Sequence, residues 1–118
     1  MLQVQIDLSD RMIDYAKFKE IELRAGTVLE AIAVEGSDKL LRLTVDIGTE
    51  KRQIIAGIAR SYKPEELVGK QIIIVVNLEP RMLKGLESQG MLLAVGEDDS
   101  KVSVLTLDRK ADNGLLVM

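Results

Sequence analysis

Cysteine, histidine and tryptophan are all missing from this 118-residue chain, and proline occurs only twice. Without cysteine there is no disulfide framework and no thiolate metal site, which fits a reducing, cytoplasmic setting. Without histidine the commonest general base and metal ligand is gone. Aromatic residues are reduced to Tyr15, Phe18 and Tyr62. No apolar run approaches the roughly 20 residues of a membrane-spanning helix, so no membrane association is expected. The opening MLQVQIDLSD lacks the basic-then-apolar pattern of a signal peptide. Paired-carboxylate, glycine-rich phosphate-loop and nucleophile-elbow motifs are absent too, and Asp46, Glu50, Asp98 and Asp99 are scattered through turns and strand exits. The expectation is a non-catalytic protein with no catalytic residues, no metal site and no cofactor.

What is present is a chain rich enough in apolar residues, at 47%, to bury a real core, and long enough for one domain. The formal net charge is -3, but it is unevenly spread. Between Lys39 and Lys84 there are nine cations and five anions, a local +4. The flanks hold the other seven cations and fourteen anions, a local -7. Such asymmetry can leave a basic face on an acidic body, as a phosphate-binding surface needs, and equally fits an ordinary solvated surface.

Local patterns predict a small all-β barrel. Ser9 is the expected N-cap of a short opening helix, with Met12, Ile13 and Ala16 on one face. In EIELRAGTVLEAIAV the inward candidates are Ile21, Leu23 and Ala25, then Val28, Ile32 and Val34. The phase switch across Gly26 predicts a β-bulge there. LLRLTVDIG alternates cleanly, with Leu41, Leu43, Val45 and Ile47 inward, and Thr49 and Glu50 turn it into RQIIAGIA as a hairpin. Pro64 opens a second short helix, stopped by Gly69, and QIIIVVN reads as a covered strand, apolar on both faces. A polar loop, NLEPRMLKGLESQG, leads into MLLAV, the turn EDDSK and VSVLTL. A bent first strand, a hairpin, a helix between the third and fourth strands and a closing fifth strand make the order of an OB-fold barrel. An SH3-like barrel would show the same alternation. The division expected is a helical extension over 1–19 and a barrel over 20–118.

The segments ELRAGTVLEA, SDKLLRLTVDIG, KRQIIAGIA, YKPEELVGK and NLEPRMLKGLESQGMLLA together resemble the OB-fold tRNA-binding domain family. That family includes domains of methionyl-tRNA synthetases, free-standing structure-specific tRNA-binding proteins and a secretion-chaperone-like branch. The resemblance covers roughly residues 18 to 118. It places RNA-contacting positions at Lys39, Asn77, Lys84, Ser88 and Met91, with Arg42, Arg52 and Arg81 as neighbours. Lys84 stands where an arginine is common in the family, keeping the charge without the bidentate fork. A loop with His-Pro precedes DKL in many members, whereas this chain has only EGSDKL.

The residue chemistry agrees with that assignment. Lys39 and Lys84 suit phosphates, and Asn77 and Ser88 suit phosphate or a 2′-hydroxyl. Each also has a scaffold reading: the lysines as solvated charges, Asn77 capping a turn, Ser88 satisfying a loop amide, Met91 in the core. No aromatic lies in the candidate strands, so contacts to a folded RNA shape, such as the tRNA elbow, fit better than base stacking. The resemblance implies a homodimer, and the apolar ending NGLLVM either packs on a second copy or closes its own barrel. The function expected is a stand-alone tRNA-binding protein of the methionyl-tRNA synthetase β-subunit type, serving a catalytic partner in trans. The alternative is a dimeric secretion-chaperone-like protein that binds unfolded peptides.

Overall fold

A computed structural model describes residues 6–118; residues 1–5 of the expected N-terminal extension lie outside the described part. In chain order the elements are α1 (Tyr15–Phe18), β1 (Leu23–Ala33), β2 (Leu41–Asp46), β3 (Lys51–Ala56) and α2 (Pro64–Leu67), then β4 (Gln71–Val75), β5 (Arg81–Leu83), β6 (Leu86–Ser88), β7 (Met91–Leu92), β8 (Ala94–Gly96) and β9 (Val102–Val104). The main sheet is antiparallel in the order β3-β2-β1-β4-β7. The segment entering β7 returns beside β3, where the Gln89 N–H donates to the Gln53 carbonyl at 2.7 Å. The sheet thereby curls into the nearly closed barrel expected of an OB fold.

Period two determines what fills it. Leu41, Leu43 and Val45 from β2 face inward, as their alternation predicts, and meet Val28, Ile54, Ile72 and Ile74 in the barrel interior. Each such side chain, fully removed from water, contributes about 1.5–3 kcal/mol. β4 is covered on both faces, because Ile73 and Val75 are buried as well. Pro64 opens α2 as expected, and Leu67 plugs the barrel from that helix.

Two local expectations need correction. The bulge lies at Leu29, where the β1–β2 register shifts between Val28 and Glu30. Gly26 is regularly paired with Ile72; its lack of a side chain admits Val45, whose Cγ1 would stand 2.6 Å from any Cβ. After the bulge Ala31 faces the core, and Ile32 is exposed, as is Ile21 before the strand. The opening helix is also shorter than expected. Its N-cap is Asp14, whose carboxylate accepts the Lys17 N–H at 2.8 Å. Ser9 instead bonds Asp7 through both its N–H and its hydroxyl, and Met12 and Ile13 stay exposed. With no apolar face covered, nothing stabilises more turns.

The stretch expected to be a polar loop contains a β-hairpin. β5 and β6 join through a two-residue turn, with Leu83 opposite Leu86. Lys84 at φ 52° and Gly85 at φ 76° supply the two left-handed positions such a turn requires. Leu83 and Leu86 then pack on Val34, Leu40 and Ile55, a satellite cluster on the outside of the barrel. At the other end, the Ala25 N–H donates to the Leu115 carbonyl at 3.0 Å, and the Val117 N–H to the Leu23 carbonyl at 2.8 Å. The chain's ending thus pairs with its own β1 while Leu115, Leu116 and Val117 leave their side chains exposed.

Candidate nucleic-acid interface

The β5–β6 hairpin divides the outer surface into two grooves. One, of about 350 Å³, runs between the hairpin and the end of β1 and is lined by Arg42, Lys84, Ile32, Leu86 and Glu35. The other, of about 370 Å³, lies between the hairpin, the end of β3 and the loop before β2, with Lys39, Arg81 and Met91 among its walls. Five of the eight candidate residues therefore line the two grooves beside one docked hairpin. None of Lys39, Arg42, Arg81 and Lys84 takes part in an ion pair among the described residues. Their charges remain available to an anionic partner.

The surroundings hold these cations in place. The Ser37 hydroxyl accepts the N–H groups of Lys39 and Leu40 at 3.3 and 3.2 Å, and the Ala59 N–H donates to the Lys39 carbonyl. Arg60 braces this loop to the β8–β9 turn, donating to Asp38 at 2.9 Å and to Asp99 at 3.0 Å. That guanidinium holds the Asp38 carboxyl below the usual aspartate range, chiefly by its hydrogen bond. Arg42 alternates with the core-facing Leu41 and Leu43, so it points outward from β2.

The remaining three candidates are engaged by hydrogen bonds within the chain, with Ser88 buried, Arg52 half-buried and Asn77 exposed. Ser88 is buried; its hydroxyl accepts the Ile55 N–H at 3.0 Å and donates to the Gly90 carbonyl at 2.9 Å. Gln89 continues the seam by accepting the Gln53 N–H on its side-chain oxygen at 2.9 Å. Arg52 shares the inward parity of Ile54 and donates to the carbonyls of Val76 and Gln89, both at 2.9 Å. It also pairs with Glu50 at 3.2 Å. Asn77 accepts the Glu22 N–H and donates to the Glu20 carbonyl, tying the approach to β1 to the end of β4. Arg52 and Asn77 line a separate hollow of about 590 Å³ at the barrel's end, with Arg24 and the C-terminal segment.

Sequence reasoning missed the partners of that seam, Gln53 and Gln89, and the Arg60 brace. It also missed the leucines that dock the hairpin, although an apolar pair flanking Lys84–Gly85 is a hairpin pattern. The aromatics are placed as expected, away from both grooves. Tyr62 accepts the Val104 N–H on its hydroxyl and lies under the Lys70 ammonium. Tyr15 and Phe18 belong to α1.

Comparison with known proteins adds a family to this geometry. The chain is 65% identical over 83 residues to a methionine–tRNA ligase of Methanothrix thermoacetophila, covering 70% of this chain and 12% of that protein. It is 48% identical over 111 residues to the methionine–tRNA ligase of Caldanaerobacter subterraneus subsp. tengcongensis, covering 92% of this chain and 17% of that one. The chain thus spans less than a fifth of the length of these curated relatives. Among solved structures, the MetRS related protein from Pyrococcus horikoshii superposes with a TM-score of 0.86 at 38% identity, covering 92% of this chain and 99% of that one. Chaperone CsaA from Bacillus anthracis superposes with a TM-score of 0.82 at 30% identity, covering 91% and 99%. Residues 23–115, nearly the whole barrel, match the tRNA binding domain family, and the chain belongs to that family.

Proposed function

We propose that this chain binds folded tRNA on the lip around the β5–β6 hairpin and serves a methionyl-tRNA synthetase as a separate, non-catalytic β-type subunit in the cytoplasm. One observation carries this reading: Lys39, Arg42, Arg81 and Lys84 lie on or beside a single docked hairpin and form no ion pair among the described residues, on a chain that is acidic overall. Clustered cations of this kind bind by neutralising phosphates and releasing counterions. With the aromatics elsewhere, a folded shape is a better target than an unstructured strand. The likeness to the MetRS related protein over almost its whole length favours a separate subunit. Residues 20–118 are the binding barrel in this reading, and 1–19 an extension that assists assembly.

Assembly as a homodimer is part of the proposal. Leu23 opens β1 and pairs with Val117, and α1 ends only a few residues earlier, so α1 and the C-terminal segment both lie near the start of that strand. They bring exposed Ile13, Tyr15, Phe18, Leu115 and Leu116 to that region, a surface a second copy would cover. Because the ending is hydrogen-bonded within its own chain, the informative change is Leu115→Ser with Leu116→Ser, which keeps those bonds. Sedimentation should then move from dimer to monomer, with the barrel intact.

A second reading, a chaperone-like protein that binds unfolded peptides, is favoured by the likeness to chaperone CsaA. One gel-shift series separates the two. Folded tRNA should bind more tightly than poly-pyrimidine RNA of equal length, weaken with salt, and resist competition by unfolded peptide. Equal binding of the poly-pyrimidine strand would end the shape-reading idea. Displacement of tRNA by peptide would favour the chaperone reading.

A further inference from the structure

The groove between the hairpin and the end of β3 has a feature that phosphate binding leaves unused. Its floor is apolar, formed by the buried Ile55 and Ile58 with Leu83, and Met91 stands beside it with 45% of its surface exposed. Lys39 and Arg81 stand on its walls. The one acid there, Asp99, is paired with Arg60, so the local charge favours an anion. Gly57 lines the same groove, and a Cβ at that position would meet nothing within 4 Å. Small-molecule clefts run from about 300 to 1,000 Å³. A groove of about 370 Å³ suits one planar group rather than a stretch of chain.

We propose that this groove takes a single unstacked nucleobase of the bound RNA. Its face lies on Met91 and the apolar floor, and its flanking phosphates are held by Lys39 and Arg81. The proposal rests on the tRNA-binding reading and names a subsite within it. A thioether is polarizable and packs favourably against a π system, so Met91 supplies the surface that the missing aromatics do not. Guanidinium planes also stack on splayed-out bases, a second use for Arg81. An apolar floor between cations is the arrangement a nucleotide needs, because its base and its phosphates differ in polarity. Gly57, at the groove's edge, adds no side chain to it.

The test fills the groove without touching a cation. Gly57→Leu places a side chain in open space, on a backbone outside the left-handed region, so the fold should hold; Gly57→Ala is the smaller step. Losing one stacked base should weaken tRNA binding about tenfold in Gly57→Leu with an unchanged salt slope, since no phosphate contact is lost. Independently, nucleoside 5′-monophosphates titrated into the full chain should shift the Gly57 amide and Met91 methyl resonances saturably. Gly57→Leu should abolish those shifts. Wild-type tRNA affinity in a folded Gly57→Leu overturns the base groove, and leaves the tRNA reading standing if Lys84→Ala still weakens binding. Equal shifts with ribose 5-phosphate, or none with any of the four nucleotides, also overturn it. So do shifts with an apolar peptide alone, which would identify the occupant as protein.

Discussion

Ser88 and Lys84 lie on the same short hairpin, yet their surroundings are opposite. Ser88 is buried on the barrel seam, with its hydroxyl engaged by Ile55 and Gly90. Lys84 sits at the exposed tip, in a left-handed conformation and outside every ion pair described. Arg52 and Asn77 side with Ser88; Lys39, Arg42 and Arg81 side with Lys84. The difference shows that one contiguous motif can serve two purposes. Its seam half closes the barrel, and its lip half presents charge. A buried polar group is expensive to leave unpaired, so Ser88 is fixed by the fold, with Arg52 and Asn77 held by their own hydrogen bonds. The lip cations, by contrast, form no ion pair among the described residues.

The comparison breaks most sharply at Gly90. Its φ of 144° excludes ordinary side chains, and a Cβ would stand 2.8 Å from the Val75 carbonyl oxygen. Gly90→Ala should destabilise the barrel by on the order of 3 kcal/mol, seen as a lower urea midpoint. An unchanged midpoint would mean that the seam is not closed as described. Ser88→Ala comes next: it leaves the Ile55 N–H without its acceptor, at a cost of about 1–3 kcal/mol. Measured well inside the folded range, tRNA affinity should be unaffected. A variant of full stability that binds tRNA poorly would move Ser88 from the seam to the lip.

How far the sequence showed this division follows from what side-chain type can encode. Alternation in LLRLTVDI was enough to place β2, because Leu41, Leu43 and Val45 have a single covered face to go to. The bulge was misplaced because a strand glycine marks either an extra residue or a close approach. Gly26 is the second kind, forced by Val45, and that neighbour is visible only once β2 is paired. The lip cations were legible as charge, although their grouping around a hairpin depends on where Leu83 and Leu86 dock. Ser88 was legible as a polar residue in a specific motif. Whether its hydroxyl faces a ligand or Ile55 depends on the barrel closing, which no local pattern states.

A smaller effect sharpens the lip half. A lysine in the left-handed region carries a cost that asparagine tolerates, and Asn-Gly is favoured in this turn. Lys84→Asn should therefore stabilise the barrel slightly, by less than about 1 kcal/mol, while weakening tRNA binding. The salt slope should fall by about one unit at most. Opposite signs for stability and affinity would mark a residue retained for its charge. If both rise together, Lys84 is not a phosphate contact.

The smallest expected effect lies in the lip's own brace. Arg60 joins the loop of Lys39 to the β8–β9 turn, and its hydrogen bond keeps the Asp38 carboxyl below the usual aspartate range. Because the folded state holds this proton less tightly than the unfolded chain, the contribution is present above the ordinary aspartate value. It is lost as pH falls through the depressed one. Both partners face water, so the pair is screened and adds little to stability. The readout is therefore titration, not unfolding. Carboxyl resonances followed by NMR should give Asp38 a midpoint below that of an unpaired aspartate. Arg60→Gln should raise it toward the ordinary range, leaving the smaller lowering by its backbone hydrogen bond and Lys39. Asp98, which is lowered by Ser100 and owes nothing to Arg60, should not move in that variant. If Asp38 keeps its low midpoint unchanged without Arg60, the Arg60–Asp38 pair is not the main cause of that lowering, and the brace on the Lys39 loop falls to its other hydrogen bonds, those of Ser37, Ala59 and Val34.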